Sequence, residues 1–288
     1  MNTNVIRSYS KINLSLRIIG KKPSTRFHKI QSIITFANLF DFIKIKEINS
    51  NYDEIKFSGK FKYGINQRNN TITKTLKVLR SYNYLKKKKF KILIKKNIPH
   101  SAGLGGGSMN SAALVKFFLL TYKININKTK LFKLTKEIGS DVPLGLEITN
   151  TFLKGAPESL KRFKDRLKLY IVLANPGIQC STRDAYSKNK YFSKPYPEKI
   201  SINFNSLFRP KNLILDRNDL ELTVFKQYPK IKRLRDFIKV QEKCIFSSMT
   251  GSGSTCVGYF HKLKNVKKAK KNIRKKFPNY WCEIAKTI

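Results

Sequence analysis

Hydrophobic and polar residues alternate along residues 6–18, and this period of two predicts a strand. Two further strand runs follow, around Ile30–Phe36 and Asp41–Ile48, and residues 89–96 alternate in the same way. Apolar residues recur at helical spacing in three other segments of this half, which predicts helices over 71–82, about 108–122 and about 127–138. The first half of the chain therefore combines an early group of strands with later helices.

The same pattern starts again in the second half. Residues 169–177 form an apolar run that ends in the turn sequence Asn-Pro-Gly, which predicts a buried strand. The other predicted elements are a helix over 181–187 capped by Ser181 or Thr182, a helix over 229–240, a strand pair over 244–249 and 255–261, a basic helix over 262–276 and a last strand over 281–287. Strands followed by helices, twice over, are typical of two α+β domains, which we expect at 1–155 and 156–288.

The composition excludes several classes of protein. The chain has 288 residues, of which 41% are hydrophobic, and no apolar run reaches the roughly 20 residues that span a membrane. The polar N-terminus enters a strand pattern directly, so we expect no cleavable signal and a cytoplasmic protein. The chain has three histidines and four cysteines without a Cys-x-x-Cys pair, which argues against a metal site formed by these residues. It also lacks the Gly-x-Ser-x-Gly elbow that would indicate a serine hydrolase.

The net charge is +43, from 60 basic and 17 acidic residues, which would ordinarily indicate a nucleic-acid partner. The lysines are spread over the whole chain, however, and accompany an excess of isoleucine, asparagine and aromatic residues. The basic segment 262–276 also keeps an apolar stripe of Val266, Ala269, Ile273 and Phe277, as a packed helix does. We therefore expect no dedicated nucleic-acid or membrane partner, although an anionic ligand would be attracted to this surface.

A glycine-rich loop is the first candidate for chemistry. The sequence HSAGLGGGS, residues 100–108, follows a predicted strand and leads into a predicted helix. Glycines let the backbone approach an anion, and the amides of the first helical turn favour phosphate. The loop lacks the Gly-Lys-Ser or Gly-Lys-Thr ending of a Walker loop, which leaves open what replaces the lysine of that ending. The alternative is a structural turn.

Three other features are ambiguous when each is taken alone. Asp141 follows a predicted helix that ends at Gly139 and is either a base or a turn-forming residue. Lys11 lies on the first strand, where it either faces solvent or supplies the missing cation. The glycine turn MTGSGST, residues 249–255, joins two predicted strands and is either a simple hairpin or part of a site.

In this order, these features resemble the signatures of the GHMP kinase superfamily, with its loop and late turn present as PHSAGLGGGS and TGSGST. Further motifs, SKINLSLRIIGK, FHKIQSIITF, GLGGGSMNSAA, IGSDVP, NPG and RNDLE, resemble the members that phosphorylate a hydroxyl of a cytidine-diphosphate-linked methylerythritol in the non-mevalonate isoprenoid route. The resemblance implies an α+β fold of two domains, one like domain 2 of ribosomal protein S5 and one ferredoxin-like, with the active site in the cleft between them.

The resemblance also implies roles for individual residues. ATP and Mg²⁺ are the expected cofactors, with Asp141 as the base that takes the proton of the hydroxyl and Lys11 beside it as the charge partner. The residues expected to bind ATP are Pro99, Gly103, Leu104, Gly105, Gly106, Gly107, Ser108 and, on the adenine side, Asn70 with Lys95 or Lys96. Those expected to bind the cytidylyl substrate are Asn13, Phe27, His28, Thr182 and Tyr186, with Phe27 and Tyr186 stacking on the base.

Two departures from the family pattern are visible. The usual Asp-Gly-Tyr-His is STRFH here, and a usual Gly-x-Gly-Glu is GAPE, residues 155–158. The first affects the expected substrate geometry, and the second falls in a loop that we expect to be peripheral. The alternatives are another small-molecule GHMP kinase, of homoserine or mevalonate type, and a basic nucleic-acid-binding protein. The sequence does not indicate an oligomeric state.

Overall fold

The alternating residues near the N-terminus form strand β1, Asn4–Lys21, and the next strand, β2, runs over His28–Ile48. The computed structural model describes residues 3–21, 28–155, 160–197 and 203–288. By its packing the chain divides into two compact units, and both strands contribute to each. The first unit comprises Met1–Lys11, Leu39–His100 and Gly105–Ile148, and the second comprises Ile12–Asn38, Ser101–Leu104 and Thr149–Ile288. The expected boundary at residues 155 and 156 stays a prediction.

In the first unit, the C-terminal half of β2 pairs antiparallel with β4 (Lys89–Lys95), and the short strand β3 (Glu54–Ser58) pairs parallel with β4. The helices of this unit are α1 (Thr71–Ser81), α2 (Gly106–Thr121) and α3 (Lys128–Ile138), followed by a 3-10 turn at Val142–Leu146. Apolar residues from the strands and all three helices form one core, for example Ile92, Leu76, Phe118 and Leu134. Burial of this apolar face stabilises the unit.

In the second unit, the N-terminal half of β2 pairs with β5 (Asn150–Gly155), which pairs with β6 (Leu160–Phe163). A separate antiparallel sheet contains β7 (Tyr170–Asn175), β8 (Phe246–Met249), β9 (Cys256–Phe260) and β10 (Trp281–Lys286), in the order β10-β7-β9-β8. Its helices are α4 (Thr182–Ser187), α5 (Phe204–Phe208), α6 (Pro210–Leu215), α7 (Leu220–Gln227), α8 (Pro229–Lys239) and α9 (Leu263–Lys276).

The order of this second sheet is that of a ferredoxin-like fold, because the fourth strand lies beside the first and the third lies between the first and the second. Helices α8 and α9 bury one apolar face each, and on α9 the buried residues are Val266, Ala269 and Ile273, as the stripe predicts. The lysines of α9 therefore occupy the opposite, solvated face. Within the described ranges, no helix combines the length and the apolar character needed to cross a membrane.

The described elements differ from the sequence predictions in two respects. The two runs at residues 30–36 and 41–48 form one continuous strand, which pairs with β5 over Ile30–Ile34 and with β4 over Phe42–Ile48. The short strands β3, β5 and β6 and the helices between residues 204 and 227 were not predicted. Each has fewer than nine residues, so its apolar pattern is too short to read.

Candidate active site

The glycine loop ends where α2 begins, at Gly106, two residues earlier than the sequence predicts. Gly105 precedes this first turn with φ of 66°, a left-handed conformation that glycine adopts without strain. As a glycine, Gly105 has no side chain that could cap this end of the 16-residue helix. The amides of its first turn, which no residue inside the helix can satisfy, therefore suit an anion.

Lys11 lies directly against this loop, within the first unit. A Cβ atom on Gly105 would be 2.7 Å from Cγ of Lys11 and 3.1 Å from its Cε, so glycine leaves the space that the lysine occupies. The ammonium nitrogen lies 3.7 Å from Oδ2 of Asp141. The Lys11 side chain is only 7% exposed, whereas that of Asp141 is 42% exposed and accessible to a ligand. The structure thus brings the loop, the cation and the carboxylate together.

The turn that carries Asp141 packs on α2. Helix α3 ends just before Gly139, and a Cβ atom there would be 3.9 Å from Oγ of Ser108. Asp141 directly precedes the 3-10 turn, in which a Cβ atom on Gly145 would be 2.7 Å from Cβ of Ala112. Close packing on α2 therefore fixes the carboxylate relative to the first turn of that helix.

A buried ion pair, which the sequence did not predict, lies next to the first turn of α2. Asp41 is fully buried and pairs with the ammonium of Lys96, which lies 3.3 Å from where a Gly106 Cβ would be. Asp41 also accepts hydrogen bonds from the backbone amides of Asn97 and Ile98, at 2.7 and 2.9 Å, and from Nδ2 of Asn110 on α2, at 3.1 Å. The signal in the sequence was a single acid between two phenylalanines of a strand.

Asn70 has a structural function at the start of α1. Its side-chain oxygen accepts hydrogen bonds from the amides of Ile72 and Thr73, and its Nδ2 donates to the carbonyls of Asn66 and Gln67. These four bonds use the capacity of a side-chain amide and begin α1. Lys96, the other residue considered for the adenine side, directs its ammonium to Asp41, and Lys95 is exposed. A role of Asn70 in ATP binding stays a prediction.

The residues expected to bind the cytidylyl substrate lie in the second unit. The His28 ring lies 5.5 Å from the Tyr186 ring and 6.4 Å from that of Phe192, which the sequence reasoning missed. Burial, followed by the nearby charge of Lys21, lowers the pKa of His28, so its imidazole is neutral near neutral pH. Phe27 lies outside the described residues. The structure therefore groups three rings, of which His28 and Tyr186 were expected.

The glycine turn at 249–255 contacts several of the other motifs. The hydroxyl of Thr250 donates to the carbonyl of Gly103 at 3.2 Å, and the backbone amide of Asn13 donates to that hydroxyl at 3.0 Å. The Thr255 amide donates to the carbonyl of Ala102 at 3.3 Å. Gly103 has φ of +77°, and a Cβ atom there would lie 2.0 Å from the Thr250 carbonyl oxygen. This close approach requires glycine, and the feature is more than a hairpin.

The remaining expected residues of the second unit are Asn13 and Thr182. Asn13 is buried, and its Nδ2 donates to Oγ of Ser32 at 2.8 Å. Thr182 begins α4, and its hydroxyl lies 2.8 Å from that of Ser252 in the glycine turn. The turn thus also contacts the start of the helix that carries Tyr186.

Glu221 accepts a hydrogen bond from the first residue of the 249–255 turn, and its burial predicts how the stability of the protein depends on pH. Burial raises the pKa of its carboxyl from 4.5 to about 7, against the hydrogen bond from the Met249 amide and the charges of Arg235 and Lys239, while Asp236 raises it further. Because the folded protein binds this proton more tightly than the unfolded chain, the contribution to stability is largest below pH 4.5 and is lost as the pH rises through about 7. Glu221→Gln, which keeps an acceptor oxygen, should stabilise the protein at pH 8 by up to about 3 kcal/mol and much less at pH 4.5.

Thermal unfolding at the two pH values measures this difference. Glu242→Gln is the control, since that carboxylate forms an exposed pair with Lys268. Equal shifts for Glu221→Gln at both pH values would contradict the assignment.

Comparison with known proteins gives the family. The family model for the GHMP kinases N terminal domain matches residues 70–147, and that for the GHMP kinases C terminal matches residues 203–279. The 4-diphosphocytidyl-2-C-methyl-D-erythritol kinase of Pelagibacter ubique (strain HTCC1062) is 42% identical over 290 residues and covers 100% of both chains. The enzyme of that name from Wolbachia pipientis wMel is 33% identical, with 98% of this chain and 97% of the relative covered.

Solved structures show the same fold. A crystal structure of 4-(cytidine 5'-diphospho)-2C-methyl-D-erythritol kinase superposes with a TM-score of 0.77 at 22% identity and covers 98% of this chain and 99% of its own. A homoserine kinase from Cytophaga hutchinsonii gives a TM-score of 0.67 at 13% identity, with 99% and 94% covered. With relatives of this identity over its full length, the chain belongs to the 4-diphosphocytidyl-2-C-methyl-D-erythritol kinase family of the GHMP kinases.

Proposed function

We propose that the chain transfers the γ-phosphoryl group of ATP to the 2-hydroxyl of 4-diphosphocytidyl-2-C-methyl-D-erythritol, a step of the methylerythritol phosphate route to isoprenoid precursors. The observation that carries the proposal is the group formed by Lys11, Asp141 and the uncapped start of α2. Phosphoryl transfer requires mainly positioning and neutralisation of charge, and these three features supply both. Full-length relatives that bear the name of this kinase support the choice of substrate.

In this proposal, residues 103–108 hold the ATP phosphates, with the amides of Gly106, Gly107 and Ser108 directed at them. Asp141 accepts the proton of the substrate hydroxyl as that oxygen attacks phosphorus, since its carboxylate is exposed to a ligand. Lys11 lies within 3.7 Å of this carboxylate and beside Gly105, where its charge stabilises the oxygens of the phosphoryl group in transfer. The first strand thereby supplies the cation that a Walker loop carries itself.

Mg²⁺ fits this arrangement as a partner of the nucleotide. Among residues 3–21, 28–155, 160–197 and 203–288, no three acidic, histidine or cysteine side chains form a cluster that could hold a metal ion. Mg²⁺ keeps several waters and binds largely through substrate phosphates, so the ATP phosphates are its proposed ligands. When bound, it neutralises charge on the phosphates.

We further propose that the cytosine ring stacks on Tyr186 beside His28, with Phe27 expected on the other face. A neutral imidazole offers one donor and one acceptor to the base edge, which suits the lowered pKa of His28. Asn13 and Thr182 complete the proposed substrate contacts. No dedicated nucleic-acid partner is proposed, and tight, steeply salt-dependent binding of random RNA or DNA would contradict that view.

Tyr186→Ala tests the stacking. Loss of a ring that stacks on a base costs about 1–3 kcal/mol, so KM for the cytidylyl substrate should rise by about tenfold or more while KM for ATP stays unchanged. Tyr186→Phe keeps the ring and is the matched control. Steady-state kinetics with each substrate varied in turn give both constants, and an equal rise in both would contradict the assignment.

An assay of phosphoryl transfer from ATP in the presence of Mg²⁺ tests the function as a whole. The acceptors are 4-diphosphocytidyl-2-C-methyl-D-erythritol, homoserine and mevalonate, and only the first should yield ADP and a phosphorylated product. Transfer to homoserine or mevalonate instead would place the chain with the other small-molecule kinases that share its fold.

A further inference from the structure

The motif RNDLE, residues 217–221, has no role in the chemistry proposed above, yet it contains one of the most buried polar side chains of the second unit. Asn218 is 1% exposed. Its Nδ2 donates to the carbonyl oxygens of Met249 and Gly251, at 2.9 and 2.7 Å, and its Oδ1 accepts from the amide of Leu220 at 3.1 Å. Both amide hydrogens are therefore committed to the glycine turn.

The backbone on either side of Asn218 is attached to β1. The Leu16 amide donates to the carbonyl of Arg217 at 3.1 Å, and the Asp219 amide donates to the carbonyl of Leu16 at 2.8 Å. The Asp219 carboxylate accepts from the amide of Ile18 at 2.7 Å. These bonds fix the backbone at Asn218 against β1. Its side chain therefore holds the 249–255 turn at a defined distance from that strand.

The 249–255 turn also holds residues 102–104, the first part of the glycine-rich loop, which is called the nucleotide loop from here on. Its residues Thr250 and Thr255 bond the carbonyls of Gly103 and Ala102, and the space at Gly103 is too small for a Cβ atom. A displacement of this turn should therefore displace Ala102 and Gly103 as well, because a close-packed protein interior transmits such a movement to the neighbouring residues. Met249, which bonds both Asn218 and Glu221, marks the start of the turn.

We propose that Asn218 is a positioning residue for ATP binding, which acts through the 249–255 turn on residues 102–104 of the nucleotide loop. This inference rests on the proposed function in one respect, namely that the loop holds the nucleotide phosphates. Asn218 touches neither substrate in this proposal. Its removal should weaken nucleotide binding.

Asn218→Asp is the main test, since it replaces two donors by an oxygen that faces two carbonyl oxygens. We expect the dissociation constant of Mg-ADP, measured by isothermal titration calorimetry well below the unfolding temperature, to rise by about tenfold or more, as small misplacements at a site do. KM for ATP should rise in parallel. Asn218→Ser, which removes the donors without adding a charge, replaces the aspartate variant if that variant does not fold.

Asn150→Asp is the matched control. Asn150 is also 1% exposed, lies in the same unit, and its Nδ2 donates to the carbonyl of Asp165 at 2.8 Å. It should lose stability and keep the affinity for Mg-ADP. An Asn218 variant that is folded and binds Mg-ADP as the wild type does would overturn the proposal.

The path through the turn has its own pair of variants. Thr250→Val removes the hydroxyl that bonds Gly103 and Asn13, and it should weaken Mg-ADP binding as the Asn218 variants do. Thr250→Ser keeps the hydroxyl and should bind normally. Normal binding by Thr250→Val would overturn the path.

These binding measurements use no alcohol acceptor. A wild-type protein that binds Mg-ADP but phosphorylates none of the three alcohols would refute the proposed function, while the comparison of variants would still decide the role of Asn218.

Discussion

Replacing Asp141 by asparagine is expected to lower kcat with the cytidylyl substrate by about 10²- to 10⁴-fold, the range that a positioned general base contributes. Asparagine has the same shape and cannot accept the proton of the hydroxyl. The first turn of α2 and the Lys11 side chain, which lies against Gly105, stay in place. The affinity for Mg-ADP should therefore change little, and calorimetry together with a coupled assay for ADP release measures both quantities.

A neighbouring carboxylate gives the control for Asp141. Glu137 lies in the last turn of α3, where its Oε1 accepts a hydrogen bond from the hydroxyl of Tyr82 at 2.7 Å. Glu137→Gln makes the same chemical change four residues away and should leave kcat unchanged. If Asp141→Asn kept a third or more of the wild-type kcat, the carboxylate would not be the base.

Asp41→Asn should produce the largest loss of stability in the first unit. It leaves the ammonium of Lys96 buried, 3% exposed, without its counter-charge, and breaking one side of a buried pair costs about 3–5 kcal/mol. The new amide group would also direct a donor at Nδ2 of Asn110. Urea denaturation followed by circular dichroism measures the change in the free energy of unfolding.

Two further variants separate the pair from its surroundings. Asp41→Asn combined with Lys96→Met removes both charges and should recover much of the loss, since apolar replacements of buried pairs are tolerated. Glu54→Gln, which breaks the half-exposed pair with Lys91 in the same unit, should change the unfolding midpoint little. A double variant as unstable as Asp41→Asn alone would show that the opposed donors of the new amide and of Asn110, and not the charge on Lys96, dominate the loss.

The Asp41 network also bears on nucleotide binding. Its bonds join the segment after β4 to α2, one turn beyond the glycine loop, and place the Lys96 ammonium beside Gly106. Asp41 thus stabilises the start of α2 through Asn110 and Lys96. Asn218 stabilises the preceding residues 102–104 through the glycine turn. Each support is a buried polar group with its hydrogen bonds made, the arrangement that fixes a single conformation.

Local patterns were sufficient for the long elements. An alternation over residues 6–18 and a helical stripe over residues 262–276 each contain enough periods to define one face, and β1 and α9 form where they were expected. The fold class and the family followed from motifs that are contiguous in the chain, such as GLGGGS and IGSDVP. Both are confirmed by the GHMP models and by full-length relatives.

The sequence by itself determined the long elements, the fold class, the family and a set of candidate residues, because each is written in adjacent letters. Only the tertiary structure decided which of those residues meet. It brought Lys11 to Asp141 across 130 positions of the chain, and it gave Asp41, Phe192, Asn218 and Glu221 partners that no local pattern predicts. The physical reason is that the burial and charge of a polar side chain depend on segments far apart in sequence, which packing alone brings together.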